Sequence, residues 1–314
     1  MSARNREGWD TALDAQTDLV RSFKTVAGRA YMGGLINTLA SAGMFDARTG
    51  ELAPPNPEYA SFIVGTAQQL LPECDPFYVS GDLSELIEYA AESFTPEALV
   101  PTDLIVPSGF AYFAQPLYMR DRFNMPMPFR AIQWCPTIDG GSVVSDNGQG
   151  VYGGVLVALY DHSKDGGGER VGGSDLAMDY VTTLRFNMES KVYNSDNSVR
   201  DMLAHLKVFF RLCQQTIAVP RHERVARPTW KRARATWKDI KEVVVFTLRR
   251  AKPPQYEGDE REVQWSHRWL VQGHWRNQWY GSEKVHRQIW IAPYVKGPDN
   301  MPLIFKRRAF ELVR

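Results

Sequence analysis

Histidine, arginine and aromatic side chains are concentrated in one stretch near the end of the chain, "VQGHWRNQWYGSEKVHRQIWIAPYVKG", residues 271–297. Cleavage of RNA through its own 2′-hydroxyl needs a base for that proton, an acid for the leaving 5′-oxygen and a cation at phosphorus. Histidine suits the first two tasks and arginine the third. The stretch therefore predicts a metal-independent ribonuclease site. With the residues just before the stretch, the predicted site covers 263–297, and its catalytic candidates are His274, Arg276, Tyr280, His286 and His267.

The roles of these candidates follow from their chemistry. His274 is the predicted acid or base, and either His286 or His267 is the second titratable group. Arg276 binds phosphate, and Tyr280 positions the nucleotide that is cut. Neighbouring tryptophans can stack unpaired bases, a contact worth roughly 1–3 kcal/mol per base. The predicted RNA-binding residues are Arg268, Lys284, Arg287, Trp275, Trp279, Lys231, Arg232 and Arg234.

Period-two alternation from 263 to 276 predicts the strand that positions this cluster. The alternation separates two faces: Trp265, Trp269 and Trp275 on one, Arg268, His274 and Arg276 on the other. A second strand at 286–293, paired through an eight- to ten-residue connection, would return His286 to the same end. The alternative is a packed aromatic sheet with an ordinary solvated face, because tryptophan at alternating positions is also typical of a protein core.

Charge is unevenly distributed along the 314 residues. Residues 221–314 contain 21 Lys/Arg and 10 Asp/Glu, a net of +11, and the preceding 220 hold 16 and 26, a net of −10. A basic, aromatic end is typical of proteins that contact phosphates. Attraction between the two halves of the chain explains the same asymmetry equally well.

Several site classes lack their motifs in this sequence. The cationic cluster offers few oxygen ligands for Mg²⁺ or Ca²⁺. The cysteines, Cys74, Cys135 and Cys213, are widely spaced and are expected to be small buried hydrophobes. No phosphate loop, dinucleotide fingerprint or nucleophile elbow is present in a supporting context. We therefore predict no metal and no cofactor.

Helical periodicity dominates the first hundred residues, in segments at 8–44, near "ASFIVGTAQQLL" and at "DLSELIEYAAESF". Short aromatic and β-branched runs follow, and they predict strands near 108–119, 129–138, 150–162 and 180–188. Helix returns at 198–219, and a basic stretch covers 221–250. The predicted class is α+β: a helical N-terminal part, a central mixed or antiparallel sheet, and a C-terminal antiparallel sheet preceded by basic helices.

Three regions are predicted from this pattern. Residues 1–100 form a helical N-terminal region, and 101–220 form a β-rich region with its following helix, a candidate for partner recognition. Residues 221–314 form the basic aromatic region with the candidate RNA site.

No apolar run reaches the length of a membrane span, and the first residues lack the apolar core of a signal peptide. We expect a cytoplasmic protein that contacts no membrane.

The C-terminal residues resemble a signature of a family of phage- and plasmid-borne proteins. The matching positions are Gly273, His274, Trp275, Arg276, Tyr280, Ile291, Pro293, Lys296 and Gly297. The segments "PSGFAYFAQPL" and "FRAIQW" look similar to the middle region of the same family. The family includes a type V-A anti-CRISPR protein that recognises the nascent polypeptide of its target and causes loss of the message being translated.

This resemblance implies a mobile-element protein in the host cytoplasm with two kinds of partner. One is RNA, a messenger associated with the ribosome, and the other is a protein or nascent peptide. The resulting hypothesis is a candidate ribonuclease that promotes cleavage or loss of RNA after recognising its protein partner. The alternative is a non-enzymatic inhibitor or adaptor that only binds a host or competing-phage factor. A DNA-binding replication or partition protein ranks last, since only the basic C-terminal region favours it.

Overall fold

The computed structural model divides the chain into two compact units, Met1–Arg249 and Arg250–Arg314. We call them the larger unit and the C-terminal unit. The structure describes these residues: 8–42, 44–46, 51–53, 56–95, 97–121, 123–137, 143–144, 150–151, 153–162, 171–187, 197–215, 217–248, 269–271, 273–282, 284–291 and 294–297.

Six helices are described in the larger unit: α1 (Trp9–Ser22), α2 (Val26–Ala42), α3 (Pro57–Leu70), α4 (Gly81–Glu92), α5 (Asn197–Cys213) and α6 (Arg227–Thr236). Its strands are β1 (Met44–Asp46), β2 (Glu51–Ala53), β3 (Asp75–Val79), β4 (Gly109–Arg120), β5 (Pro126–Thr137), β6 (Val143–Val144), β7 (Gly150–Val151), β8 (Gly154–His162), β9 (Leu176–Arg185), β10 (Ala218–Arg224) and β11 (Glu242–Leu248). Among the described residues, no helix is long and apolar enough to cross a membrane.

A seven-stranded mixed sheet lies at the centre of this unit, in the order β10-β11-β3-β4-β5-β8-β9. Strand β3 runs parallel to both of its neighbours, and the other pairs are antiparallel. The parallel pair β3 and β4 is joined through α4, because parallel strands need a crossover connection. The predicted α+β class is confirmed.

Helices cover both faces of the sheet. On one face, Leu19 of α1, Met32 of α2 and Ile63 of α3 belong to the same buried cluster as Phe110 and Leu156 of the sheet. On the other face, an aromatic cluster fixes α5. There, Trp134 stacks edge-on against Phe209 and Phe210 of α5, with ring centroids 5.8 and 5.1 Å apart. Cys135, the next residue of β5, belongs to the first cluster. Successive side chains of β5 therefore enter the cores on opposite faces of the sheet.

Local sequence explains several element boundaries. Helix α3 begins where Asn56 accepts a hydrogen bond from the backbone N–H of Tyr59 at 2.9 Å, with Pro57 in the first turn. Helix α4 begins at Gly81, after Ser80. Asp82 lies inside its first turn, where a carboxylate is stabilised by the positive end of the helix dipole.

Two differences from the sequence-based expectation concern the larger unit. The segment Asp75–Val79 is a strand within the region predicted to be helical. The basic stretch contains one described helix, α6, between strands β10 and β11, both of which join the central sheet. Positions 100 and 220, where the three predicted regions meet, both fall within the larger unit, and the division into those regions stays a prediction.

The C-terminal unit contains two short antiparallel pairs. Strand β12 (Trp269–Val271) pairs with β15 (Tyr294–Lys296), and β13 (His274–Tyr280) pairs with β14 (Val285–Ile291). The pairing of residues continues without a shift from β12 and β15 to β13 and β14. The two pairs therefore belong to one two-stranded ribbon. The third C-terminal strand predicted from "PLIFKRRAFELV" lies outside the described residues.

Candidate functional site

The strands β13 and β14 form what we call the C-terminal hairpin. A four-residue connection, from Gly281 to Lys284, joins them, and Lys284 has a left-handed backbone with φ of 54°. In an antiparallel pair, residues directly opposite one another project from the same face. The register therefore assigns each side chain of the hairpin to one of two faces.

One face of the hairpin is cationic. It carries His274 and Arg276 on β13 and Arg287 on β14, all exposed. Arg276 Nη2 donates to Gln278 Oε1 at 2.6 Å, and the guanidinium carbon of Arg287 lies 5.5 Å from the centre of the Tyr280 ring. These contacts orient both guanidinium groups on the surface, where they can meet phosphate oxygens.

The opposite face is aromatic and amide-rich. Trp275 and Trp290 are directly opposed, with ring centroids 5.2 Å apart at 63°. Nearer the turn, Trp279 opposes His286, with ring centroids 4.8 Å apart. Trp290 is 4% exposed, whereas Trp279 is 47% exposed. At the end of this face away from the turn, Trp290 is therefore buried. At the turn end, the half-exposed indole of Trp279 is accessible for stacking with a base.

The register separates the two histidines that sequence analysis proposed as an acid–base pair. His286 pairs with Trp279 and lies on the aromatic face, whereas His274 pairs with Ile291 and lies on the cationic face. They are also five positions apart along the ribbon, about 17 Å at the usual rise of a strand. The expected convergence of His274, Arg276 and His286 is therefore not found. The physical reason is the short turn, which fixes a different pairing from the one assumed.

Three further residues of the predicted C-terminal site are His267, Arg268 and Lys284. His267 and Arg268 lie outside the described residues. Lys284 is exposed within the turn, close in sequence to the exposed pair Trp279 and His286. The turn end of the hairpin thus brings together an indole, an imidazole and a lysine.

Of the basic candidates on α6, Arg232 is used inside the fold. Its guanidinium lies 2.6 Å from Asp18 Oδ1 and 3.4 Å from Asp14 Oδ1 on α1. Burial raises the pKa of Asp14, and Arg232 opposes that shift. Attraction between the acidic and basic parts of the chain, one of two explanations of the charge asymmetry, therefore operates at this contact.

The other two basic candidates on α6 are exposed. The guanidinium carbon of Arg234 lies 5.6 Å from the centre of the Trp230 ring, and the Nζ atom of Lys241 lies 5.8 Å from it. Lys231 is also exposed on this helix. Arg234 and Lys231 thus differ from Arg232, because neither has a carboxylate contact among the described residues.

The larger unit also contains a polar cleft that the sequence analysis did not predict. A cleft of about 590 Å³ lies between α4, the β4–β5 pair and α5. Arg120 binds Asp201 through two hydrogen bonds, Nε to Oδ2 at 2.7 Å and Nη2 to Oδ1 at 2.8 Å. Arg200 approaches the same carboxylate at 3.2 Å. In the wall, Nδ1 of His205 lies 2.8 Å from the carbonyl of Asp201, and Nε2 lies 3.1 Å from Glu88 Oε2.

The electrostatics of Asp201 follow from these contacts. Burial by itself raises its pKa, but the hydrogen bonds from the side chain and backbone of Arg120, with help from Arg200, outweigh burial and leave the pKa lowered. The one sequence signal for this site is the spacing of Asp201 and His205, four residues apart on a helix, which places them on one face. Their partners on α4 and β4 are distant in sequence.

Metal ligation has no candidate in the described part of the chain, where no group of three or more His, Cys, Asp or Glu is placed to hold an ion. Two cysteines, Cys74 and Cys135, are fully buried with their sulfur atoms 3.4 Å apart. Gln133 donates to Cys135 Sγ at 3.3 Å. Burial raises the pKa of Cys74 well above its ordinary value. These two thiols therefore belong to the core packing between β5 and the start of β3.

Comparison with known proteins gives little beyond this geometry. No protein-family model matches the chain, and no curated protein matches it. Among solved structures, the crystal structure of AcrVA2 is similar over 90% of this chain and 85% of its own, at 12% identity and a TM-score of 0.36. A similarity at this level carries no argument about function. The functional case rests on the residues of the hairpin and the cleft.

Proposed function

We propose that this chain is a mobile-element protein that recognises a protein partner and holds a single-stranded segment of RNA on its C-terminal hairpin, promoting the loss of that RNA. The observation that carries the proposal is the register of the hairpin, which separates cations from aromatic rings. A nucleic-acid strand offers phosphates and flat bases together, so one ribbon with both surfaces can engage both.

Charge favours the same ligand. The stretch 269–297 contains four Lys/Arg and one Glu, so an anionic backbone is attracted to it. The exposed Trp279 gives base stacking at the turn end, and Arg287, held against Tyr280, gives a phosphate contact on the other face. The predicted roles of Lys231 and Arg234 in RNA binding remain part of the proposal, since both are exposed.

Cleavage at the hairpin requires an acid–base arrangement other than the predicted histidine pair. A His274–His286 acid–base pair is not proposed, because the register places the two on opposite faces. If bound RNA is cut at the hairpin, His274 is the imidazole that shares a face with Arg276 and Arg287. The same register favours the non-enzymatic adaptor, because it places His274 and His286 on opposite faces of the hairpin, where they do not form an acid–base pair.

Fluorescence anisotropy with a labelled oligouridine tests RNA binding. Trp279→Ala is expected to weaken binding by about 5- to 150-fold, the equivalent of losing one stacked base at roughly 1–3 kcal/mol. Arg287→Gln is expected to reduce the slope of log affinity against log salt by about 0.7, the value for one lost phosphate contact on a single strand. The matched control is Arg224→Ala in the larger unit, whose side chain is 89% exposed. Equal affinity of all four proteins would refute RNA binding by the hairpin.

A translation extract distinguishes cleavage from binding alone. The level of a reporter message is measured with wild type, His274→Ala and Arg276→Ala. Loss of message destruction in His274→Ala, with oligouridine binding retained, supports cleavage at the cationic face. Message loss that is unchanged in both folded variants rules out that chemistry and leaves the adaptor.

A further inference from the structure

A rigid turn in the larger unit presents large apolar side chains to solvent. In the turn between β4 and β5, Asp121 Oδ1 accepts hydrogen bonds from the backbone N–H groups of Phe123 and Met125, both at 2.8 Å. The backbone adds Asp121 N to Met125 O at 2.8 Å, and Asn124 lies in the left-handed region with φ of 64°. Yet Phe123 is 71% and Met125 62% exposed. These hydrogen bonds hold the described backbone of the turn, Asp121 and 123–125, and both side chains lie outside the core.

Two tyrosines extend this exposed surface toward α4. Tyr118 on β4 is 48% exposed and lines the cleft, and Tyr89 on α4 is 42% exposed. The backbone N–H of Tyr118 donates to Glu88 Oε2 at 2.9 Å, which ties β4 to α4. We call Tyr89, Tyr118, Phe123 and Met125 the apolar patch. They are four of the six large hydrophobic residues exposed in the described part of the larger unit, and all four lie on α4, on β4 or in the turn after β4.

The surroundings of the apolar patch are negatively charged. Helix α4 contains four acidic residues and no Lys or Arg. Helical spacing places Glu85 and Glu92, four residues before and three after, on the same exposed face as Tyr89. The cleft is lined by two guanidinium groups, those of Arg120 and Arg200, and by three carboxylates, those of Asp201, Glu88 and Glu92, so its formal charge is also negative. A phosphate backbone or an anionic membrane is therefore disfavoured at this surface, and a cationic ligand is favoured.

We propose that the apolar patch and the adjoining cleft bind a positively charged segment of a partner protein that carries large apolar side chains. Aromatic and methionine side chains are enriched at the centres of protein interfaces. A rigid turn loses little conformational freedom on binding, which favours affinity. The cleft, at about 590 Å³, lies within the range of pockets that enclose a ligand. The acidic face of α4 supplies the complementary charge at the rim.

This inference assigns a surface and a partner chemistry to the partner-recognising half of the proposed function. It does not depend on RNA binding by the C-terminal hairpin, which lies in the other unit. The two proposals therefore fail separately: variants of the apolar patch leave oligouridine binding intact, and Trp279→Ala leaves peptide binding intact.

A displayed library of random dodecapeptides, selected against the full chain, tests the proposal. We expect enriched peptides to combine net positive charge with Phe, Trp, Leu or Met, and to bind Phe123→Ser/Met125→Ser about ten-fold more weakly than wild type in anisotropy. The matched control is Phe62→Ser, which removes a side chain that is 54% exposed on α3 and is expected to bind like wild type. Glu85→Gln/Glu92→Gln is expected to weaken binding mainly at low salt.

Several results would overturn the inference. These are no enrichment, enrichment of neutral or acidic peptides, or equal binding by wild type and the Phe123/Met125 double variant. Light scattering that shows a dimer of wild type and a monomer of the double variant would assign the patch to a second copy of the chain. Loss of oligouridine binding in the double variant would assign it to RNA.

Discussion

Replacing Asp201 by Asn tests the ion-pair cluster that joins β4 to α5. The change keeps the shape of the side chain but removes its charge and puts an amide NH₂ against donors of Arg120. The Asp201 side chain is 11% exposed and that of Arg120 is 49% exposed. Breaking a buried pair costs about 3–5 kcal/mol, and exposed pairs contribute roughly 0.2–1 kcal/mol. With one partner buried and the other half exposed, we expect a loss of about 2 kcal/mol in the free energy of unfolding at pH 7.

Urea unfolding at pH 7 measures this loss as a lower midpoint at an unchanged slope. The pH dependence gives an independent check. Because the folded-state pKa of Asp201 is lowered, its stabilisation is complete above the unfolded-state pKa, near 3.9, and is lost as pH falls through the folded-state pKa. The difference between wild type and Asp201→Asn should therefore be constant from about pH 5 to about pH 8 and shrink in acid.

The control for Asp201→Asn is Glu85→Gln, a charge loss on the exposed face of α4 that should change stability by less than about 0.5 kcal/mol. Protonation of all other carboxylates is common to the compared proteins and cancels in the difference. The reasoning is refuted if Asp201→Asn costs no more than the control at pH 7. It is equally refuted if the difference persists undiminished at the lowest pH at which both proteins fold.

Two further substitutions test other parts of the larger unit. Lys207 is 1% exposed and lies 3.1 Å from Asp103, so Lys207→Met should cost about 3 kcal/mol in urea unfolding, with partial recovery in Lys207→Met/Asp103→Asn. Since burial lowers the pKa of Lys207, wild type should gain stability relative to Lys207→Met as pH rises toward about 10.4. A Cβ at Gly109 would lie 2.2 Å from the Trp134 ring, so Gly109→Ala should lower the free energy of unfolding by about 1–3 kcal/mol in urea; an unchanged midpoint would contradict that contact.

Periodicity in the sequence predicted most elements that have a strong local pattern. Strands β4, β5, β8 and β9 were predicted near their observed positions because alternating apolar residues bury one or both faces. Strand β3 was missed because it is short, contains Pro76 and lies between helices. Its pairing is parallel and joins segments far apart in the chain, which leaves no local sequence signal.

The basic stretch was harder to interpret because its strands lie at an edge. Strand β10 has one neighbour in the sheet, and Arg221, His222 and Arg224 are exposed on it. Charged residues on an edge strand discourage pairing with other chains. The many charged residues of this stretch are therefore also typical of a solvent-exposed helix, which is what was predicted. No strand was predicted in this stretch, although β11 contains three consecutive β-branched residues, Val243, Val244 and Val245.

In the candidate site, local alternation was predictable and pairing was not. The alternation correctly separated His274 and Arg276 from Trp275, since the faces of one strand follow from period two. The face of His286 depends on the register, and the register depends on the length of the turn. An eight- to ten-residue connection was expected, but the turn has four residues. The cleft was not predictable, because its side chains come from three distant segments.

The strand order has a consequence for synthesis on the ribosome. Strand β3 ends at Val79, whereas its neighbour β11 ends at Leu248 and is made 169 residues later. At the usual 5–20 residues per second, that interval lasts roughly 8 to 34 seconds. During this interval the backbone N–H and C=O groups on the β11 side of β3 have no strand to pair with. An unpaired strand edge can pair with other chains. Newly made protein should therefore be most prone to aggregation before the residues of β11 emerge, and chains truncated before Glu242 should be less soluble than the full chain.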